Sequence, residues 1–355
     1  MKIAIITDLH IGARGDSQIF SRYFARFYNE TFFPKIDELG IDTVICMGDT
    51  FDRRKYINYV SLRAGKDMLF DPMKERNIDA HFIIGNHDVT YRDTNSINSG
   101  ELLLDDYPNI KVYPNPTTVS IGDIDICLLP WINSENYADT MTEIKNTKAQ
   151  VCMGHLEIAG FRMYKGSFND GGLDTKIFEQ FDMTFSGHYH HKSSVGDIHY
   201  LGNPYAITWA DYDDHRGFHI FDTETRELEF IKNPLDIFHK VWYNDEDKSL
   251  EKILDIDFTK YTNTYVKLIV TKKTNPYYFD RFLDELYKAD AQNIQIVDDH
   301  FHQDELSEDD IMKDLDDTLT ILKKTVDSLE MDTDTKPLKE LMETLYIESL
   351  NYEGV

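Results

Sequence analysis

The stretch Val44-Ile45-Cys46-Met47-Gly48-Asp49-Thr50-Phe51-Asp52 decides how the chain is read. An apolar run closed by a glycine marks a buried strand, and the carboxylate after it falls on the rim of a sheet, where a scaffold holds it and solvent reaches it. One such turn is a weak signal, because Asp commonly opens turns. Here the arrangement recurs: Asp8-Leu9-His10, Gly85-Asn86-His87-Asp88, Gly154-His155 and Gly187-His188-Tyr189-His190 each follow a strand-like run. A lone His after a strand is more often a cap or a core residue, and His81, His199 and His219 are read that way. Polar clusters at successive strand ends point instead to one shared site.

The donors in these clusters are imidazole nitrogen, carboxylate and amide oxygen, without thiolate. That set suits Mn, Fe or Zn and disfavours a structural zinc knot or an oxygen-only Mg or Ca cage. In extended chain, residues i and i+2 point the same way, so Asp8 is expected to share an ion with His10, and His188 with His190. The candidates Asp8, His10, Asp49, Asn86, His155, His188 and His190 are too many for one ion and suit two ions sharing a carboxylate.

Along the first 130 residues, strand-like and helix-like patterns alternate. Lys2–Thr7 reads as a strand, Ser17–Leu39 as a helix with Phe20, Phe24, Phe27 and Tyr28 at helical spacing, and Val44–Met47 as the next strand. A helix over about Tyr59–Arg76 and a strand over Ala80–Ile84 follow, then short strands at Ile124–Leu129, Ala149–Met153 and Met183–Phe185. Ile198–Leu201, Phe218–Phe221 and Leu228–Ile231 come without helices between them, which predicts antiparallel hairpins. An α/β half with a β-rich return fits a two-sheet core with helices on both outer faces. Past Pro234 the texture changes. Strands at Tyr265–Thr271 and Ile294–Val297 around a helix near Tyr277–Ala289 predict a small separate α+β unit. Beyond it Met312, Leu315, Leu319, Leu322, Val326 and Leu329 recur at steps of 3, 4, 3, 4 and 3, the seam of a coiled-coil-like helix. Pro337 opens a second stripe through Leu338, Leu341, Met342 and Leu345. The pair reads as a docking arm for a partner's helices, the alternative being two helices packed on their own domain.

Composition bounds the rest. With 355 residues, 41% of them hydrophobic, the chain can build a large core and two domains. No apolar run approaches the roughly 20 residues of a membrane helix, and Met1–Asp8 meets a charge too early for a signal peptide. Cys46, Cys127 and Cys152 lie in apolar runs, which predicts buried thiols in a reducing cytoplasm. The net charge of −27 disfavours a polyanionic substrate. The excess is uneven, however: residues 301–355 carry 16 acidic against 5 basic side chains. Screening within roughly 8 Å makes local charge decisive.

These motifs resemble the calcineurin-like metallophosphoesterases, whose pattern D-x-H, G-D-x-x-D, G-N-H-D/E, G-H, G-H-x-H is matched without a gap. The closer resemblance is to the nuclease subunits of the double-strand-break repair complex, the SbcD family, and most nearly to the recombination endonuclease subunits of T-even-like phages. Leu129-Pro130-Trp131, His155-Leu156-Glu157 through Gly160-Phe161, Gly202-Asn203-Pro204-Tyr205, Arg216-Gly217-Phe218 and Phe221 through Thr225 carry it over residues 1–235.

The resemblance implies an α/β two-sheet metallophosphoesterase sandwich flanked by helices (1–235), a small α+β capping domain that limits access to DNA (236–300), and a helix-loop-helix arm (305–355). It implies one ion held by Asp8, His10, Asp49 and His190, and a second held by Asp49, Asn86, His155 and His188. Manganese is the expected metal, two ions per chain, with Mg2+ or another divalent ion as alternatives. His87 is expected to face substrate as proton donor, with Asp88 orienting it. Asp52 stands where many cellular relatives have His. The implied activity is exonuclease action on duplex ends and endonuclease action on single strands, in DNA repair, recombination and replication. The implied partners are DNA, a second copy of the chain and an SbcC-like coiled-coil ABC ATPase. The compartment is the cytoplasm, that of the host if the source is a phage. Candidate DNA contacts are Arg53-Arg54-Lys55, Tyr91 and Arg92, Arg162 and Lys165, and Lys272-Lys273, with exposed clusters of no role as the alternative. Two rivals remain: a phosphomonoesterase or cyclic-nucleotide phosphodiesterase, and a scaffold that keeps the metals for structure.

Overall fold

The computed structural model describes residues 1–164, 167–168 and 172–298. The expected arm over 305–355 and Lys165 lie outside the described residues. The chain divides into two compact units, Met1–Asp236 and a second beginning at Ile237.

The first unit is a sandwich of two six-stranded sheets. In one, Lys2–Ile6, Thr43–Met47, Asp79–Ile83 and Ile110–Tyr113 run parallel, and Gly217–Asp222 and Leu228–Lys232 return antiparallel on the far edge. In the other, Ile124–Leu129, Val151–Gly154, Met183–Ser186 and Ile198–Tyr200 run parallel between the antiparallel edges Thr117–Ile121 and Ser193–Val195. Strands buried on both faces read as continuous apolar runs, which is why they stand out in the sequence. Alternate side chains face the other sheet: Ile3, Ile5, Ile45, Met47 and Ile83 meet Ile126, Leu128, Val151, Met153 and Phe185. The opposite side chains of the second sheet, among them Cys127, Leu129 and Cys152, pack with Ile144, Tyr189 and Tyr200. All three cysteines are buried and free.

Two expectations change. Ile198–Tyr200 does not pair with Gly217–Asp222; it belongs to the second sheet, parallel to Met183–Ser186, and the chain crosses to the first sheet before the Gly217–Asp222/Leu228–Lys232 hairpin. The two long helices are also not uniform. Each contains a proline, Pro34 or Pro72, which has no N–H and clashes with the carbonyl four residues back. The chain answers with one wider π turn: Tyr28–Phe32 lies between Gln18–Phe27 and Phe33–Leu39, and Lys66–Phe70 between Tyr59–Gly65 and Asp71–Glu75. Bonds from Phe33 N to the Tyr28 carbonyl and from Asp71 N to the Lys66 carbonyl carry the helix past the defect.

The second unit holds three parallel strands, Phe238–Asn244, Tyr265–Lys272 and Asn293–Asp298, with helices Leu250–Leu254 and Pro276–Lys288. Its core gathers Tyr243, Leu268, Val270, Phe279 and Phe282. No described helix is long and apolar enough to cross a membrane.

Helix Gln18–Phe27 is fastened to the strand-end loop by Tyr205. Its ring stacks on Phe24 at 3.7 Å, and its hydroxyl donates to the Leu9 carbonyl at 2.6 Å, between Asp8 and His10. Tyr205→Phe keeps the stack and leaves that buried carbonyl short of a donor. It is expected to destabilise the protein by about 1–3 kcal/mol, read as a lower urea midpoint; an unchanged midpoint would show the bond to be dispensable.

Candidate metal centre

Every motif of the opening pattern emerges at the carboxyl end of a parallel strand, where open α/β sheets present their ligands. Asp8 and His10 follow Lys2–Ile6, Asp49 follows Thr43–Met47, and Asn86 and His87 follow Asp79–Ile83. His155 follows Val151–Gly154 of the other sheet, and His188 and His190 follow Met183–Ser186. The ends are sewn together by backbone bonds: Asp8 N to the Gly48 carbonyl, His10 N to the Asp49 carbonyl and Gly187 N to the Gly154 carbonyl, each 3.0 Å. Other bonds cross between the sheets. His155 Nδ1 pairs with the Met47 carbonyl at 2.8 Å, and His188 N donates to Asp8 Oδ1 at 3.0 Å.

The chain makes these sharp exits in left-handed backbone: φ is 53° at Asp8, 45° at His10, 51° at Asp49 and 85° at His188. Such conformations cost of the order of 1–3 kcal/mol each outside glycine and persist where the surroundings enforce them. Glycine is required beside them. Gly48 has φ 93°, and a Cβ there would lie 2.5 Å from His155 Nδ1. A Cβ on Gly85 would collide with the Asp49 carboxylate and amide.

The side chains converge in three overlapping groups: Asp8, His10 and His190; Asp49, His155 and His188; and His10, Asp49 and His87, the facing atoms of each group lying within 4.8 Å of one another. Asp49 joins them. Its Oδ1 accepts from the His87 amide at 2.7 Å, while Oδ2 lies 3.4 Å from His155 Nε2 and 3.8 Å from His10 Nε2. Asn86 Oδ1 sits 2.9 Å from both His155 Nε2 and His188 Nδ1, and His10 Nε2 faces His190 Nε2 at 3.0 Å. All seven candidate donors are therefore brought together. Their partition differs from the i, i+2 expectation, since the left-handed turn at His188 sends it to Asp49 and His155 while His190 goes to Asp8 and His10.

The electrostatics fit a cation. Asp8 and Asp49 are buried, and among the described residues no Lys or Arg forms an ion pair with either. Burial pushes Asp8 up; burial also raises Asp49, but the imidazoles of His155, His87 and His10 outweigh it and hold that carboxyl well below the usual range. Burial works against charge on His155 too, yet Asp49 lifts it to about 9. His10 likewise reaches about 9 through Asp52 and Asp49. Burial, then His155, pushes His188 down to about 3, and burial with His10 holds His190 well below its ordinary value. The carboxylates thus favour the charged form of two imidazoles, and burial favours the neutral form of the other two. A divalent ion held here would supply that positive charge and take the imidazole lone pairs. The N/O donor set, with the Met47 carbonyl fixing the His155 tautomer, is the chemistry such ions take.

His87, half-buried, is held by its Nδ1 on the Asp52 carbonyl at 2.6 Å, with its ring edge-on to His10 at 4.8 Å. Asp88 does not touch that ring. Its carboxylate accepts from the amides of Gly85 (2.9 Å), Thr50 (3.0 Å) and Phe51 (3.4 Å) and from Ser99 Oγ (3.2 Å), so it ties two metal-bearing loops together instead of orienting His87. Burial and then Asp49 raise it to about 6. Asp52 holds His87 through its carbonyl, while its carboxylate lies 3.1 Å from His10 Nδ1.

The basic candidates separate. Arg53 is anchored over Tyr56 and lies 3.5 Å from Asp16. Arg54 is half-buried; burial, then neighbouring Arg92, push it down, with Asp49 acting the other way. Arg54 therefore lies within electrostatic reach of the centre. Tyr91 is exposed, Lys272 pairs with Glu246 and Lys273 lies over Phe279. Arg162 begins a short strand paired with Ser167–Phe168. Residues without a role in the motif pattern also matter here. Trp131 packs against His188 and His155, and buried Arg216 donates to the His190 carbonyl.

Residues 1–192 match the Calcineurin-like phosphoesterase family. The chain belongs to that family, whose members hydrolyse phosphate esters with divalent metal. Over 354 residues it is 31% identical to a protein of Enterobacteria phage T4 named Exonuclease subunit 1, covering 98% of this chain and 99% of that one. Among solved structures, an archaeal phosphodiesterase is similar at 15% identity and TM-score 0.32 over 65% of this chain and 99% of its own. A hypothetical protein from Thermus thermophilus gives 14% identity and TM-score 0.37 over 66% and 100%.

Gly85→Ala should displace the Asp49 carboxylate. The expected result is metal affinity lower by about 10–100-fold with an unchanged far-UV spectrum; wild-type affinity would show that the Gly85 backbone does not set the Asp49 position.

Proposed function

We propose that the chain is the nuclease subunit of a DNA-end-processing complex, a dimanganese phosphodiesterase that cuts duplex ends as an exonuclease and single strands as an endonuclease. The observation that carries this reading is Asp49 Oδ2 lying between two donor nests, with the His87 ring beside them. One ion would take Asp8, His10, Asp49 and His190, the other Asp49, Asn86, His155 and His188. When bound, the ions supply Lewis acidity toward the phosphate and an activated water for in-line attack. His87 donates the proton that the leaving sugar oxygen needs. Holding Nδ1 on the Asp52 carbonyl fixes the ring, so that Nε2 is the transferring atom. Asp88 keeps the Thr50-Phe51 and Gly85 loops in register and thereby keeps Asp49 beside His87. Arg54 is the phosphate contact best supported, since a half-buried guanidinium with no ion-pair partner among the described residues has charge to offer.

The near-full-length similarity to a phage exonuclease subunit supports DNA as substrate and a partner subunit. Residues 236–300 restrict access to the site, and the seamed helices of 305–355 dock on the coiled-coil root of an SbcC-like ATPase. A homodimer forms through the helices near the metal motifs, where Tyr59 and Val60 are 87% and 52% exposed.

With manganese, the purified chain should degrade labelled linear duplex in preference to p-nitrophenyl phosphate; the reverse preference would make it a small-ester phosphatase. His87→Gln should retain both metals and lose at least about 100-fold in cleavage rate, whereas wild-type turnover would remove His87 from the mechanism. Deleting 305–355 should abolish co-purification with the ATPase and spare basal nuclease activity; undiminished binding would refute the docking role.

A further inference from the structure

The two histidines that share Asn86 are held in different ways. His155 has Nδ1 on the Met47 carbonyl at 2.8 Å and presents Nε2 to Asn86 Oδ1 at 2.9 Å. That is the usual arrangement for a metal-binding imidazole, whose second nitrogen is fixed by an acceptor. His188 presents Nδ1 to the same Asn86 oxygen at 2.9 Å, but among the described residues its Nε2 has no hydrogen-bond partner. Its amide is fixed on Asp8, at 3.0 and 3.1 Å, which sets the backbone and leaves the ring to turn about its own side-chain bonds. What faces that ring is other rings: Trp131 at 5.2 Å and tilted 46°, His155 at 5.2 Å, and Tyr189, its neighbour in the chain, at 5.0 Å. Trp131 also meets His155 edge-on at 6.3 Å. The place of Trp131 is set by its backbone. Its N donates to the Ile84 carbonyl at 2.7 Å, and its carbonyl accepts from Asn95 Nδ2 and Asn136 Nδ2 at 2.9 Å each. Both asparagines are buried, and buried Asn133 donates to Asn95 Oδ1 at 2.9 Å.

We propose that Trp131 is a positioning residue for the nest of Asp49, Asn86, His155 and His188, its indole standing in for the acceptor that His188 Nε2 lacks; the inference rests on the two-ion reading above. An imidazole with one nitrogen unbonded swings between orientations unless packing removes the alternatives, and a tilted aromatic contact removes them while favouring one. The bond from Trp131 N to Ile84 gives this wall its register. Ile84 directly precedes Gly85-Asn86, so the indole and the amide oxygen that His188 must face are carried by one strand end. The other nest is built without such a wall. His10 and His190 meet each other at 4.8 Å between ring centres, His10 meets His87 at 4.8 Å, and Trp131 is in ring contact with none of these three among the described residues. Loss of the indole therefore falls on one ion and spares the other, which separates positioning from a general contribution to the fold.

The test is calorimetric titration of manganese into the full chain. Wild type should take two ions, and His188→Ala identifies the ion that His188 serves by weakening one of them. Trp131→Leu, which leaves the space largely filled, should weaken that same ion by about 10–100-fold and leave the other at wild-type affinity, a result that also shows the fold intact. Trp131→Phe keeps a flat but smaller ring and should fall between the two, again on that ion alone; it carries the test if the Leu variant does not fold. In His188→Ala, adding Trp131→Leu should weaken nothing further, because the ring it positions is gone. Equal weakening of both ions, a titration unchanged by Trp131→Leu, or a Phe variant no better than Leu overturns the proposal. A wild-type chain that takes a single ion removes the two-ion reading and this inference with it. Failure of that reading is thus seen in the wild type, and failure of the Trp131 role only in the variants.

Discussion

The Asp49 carboxylate is the point on which the molecule turns. One oxygen is held by the His87 amide, and the other looks at His155 from one sheet and His10 from the other loop system. A buried carboxylate without a fixed cation is costly, and here imidazoles offset the cost in a form that an ion can replace. The sandwich is built to make that meeting happen. Parallel strands of both sheets end on the same side, and the His155–Met47 bond joins the sheets directly beneath the carboxylate.

Backbone strain falls in the same place. Asp8, His10, Asp49 and His188 all occupy left-handed backbone, and Gly48 and Gly85 leave room where any side chain would strike His155 or Asp49. The strained turns let seven donors from five loops approach one point. Asp88 holds them there. Its four accepted bonds bind the loops after Thr43–Met47 and Asp79–Ile83 into one body, work that leaves it no part in contacting His87.

Much of this is written in the residue pattern, because strands buried on both faces announce themselves as apolar runs and the polar residue after each run is conspicuous. All of the donors brought together could be named from that pattern alone. The i, i+2 rule misplaces two of them, since the backbone at His188 is left-handed and sends His188 and His190 to different groups, as the family resemblance implied. The hold on His87 escaped for another reason: it comes from the backbone carbonyl of Asp52, which no side-chain pattern encodes. Edge strands Ile110–Tyr113 and Thr117–Ile121 are half-buried and mixed in polarity, so they lack the apolar signature of the central ones. The prolines in the two long helices do not end them, because the wider π turns absorb the missing donors.

The segment between the second sheet and the final hairpin shows why residues with no metal-binding chemistry recur beside those that have it. Arg216 is buried, donates to the His190 carbonyl and to Asn203, and pairs with Asp211 at 2.8 Å and Asp214 at 3.0 Å. Asp211 in turn accepts from the amides of Ile207 and Thr208, and Asp214 lies 2.6 Å from His191 Nδ1. An exposed ion pair contributes little to stability, but a buried guanidinium stripped of one partner is strongly destabilising, by about 3–5 kcal/mol. The intact network specifies where the His190 carbonyl lies. The imidazole of His190 meets that of His10 at 3.0 Å because the backbone behind it is not free to drift. Precision at the metal centre thus originates several residues away, in a salt-bridged loop that touches no ion itself.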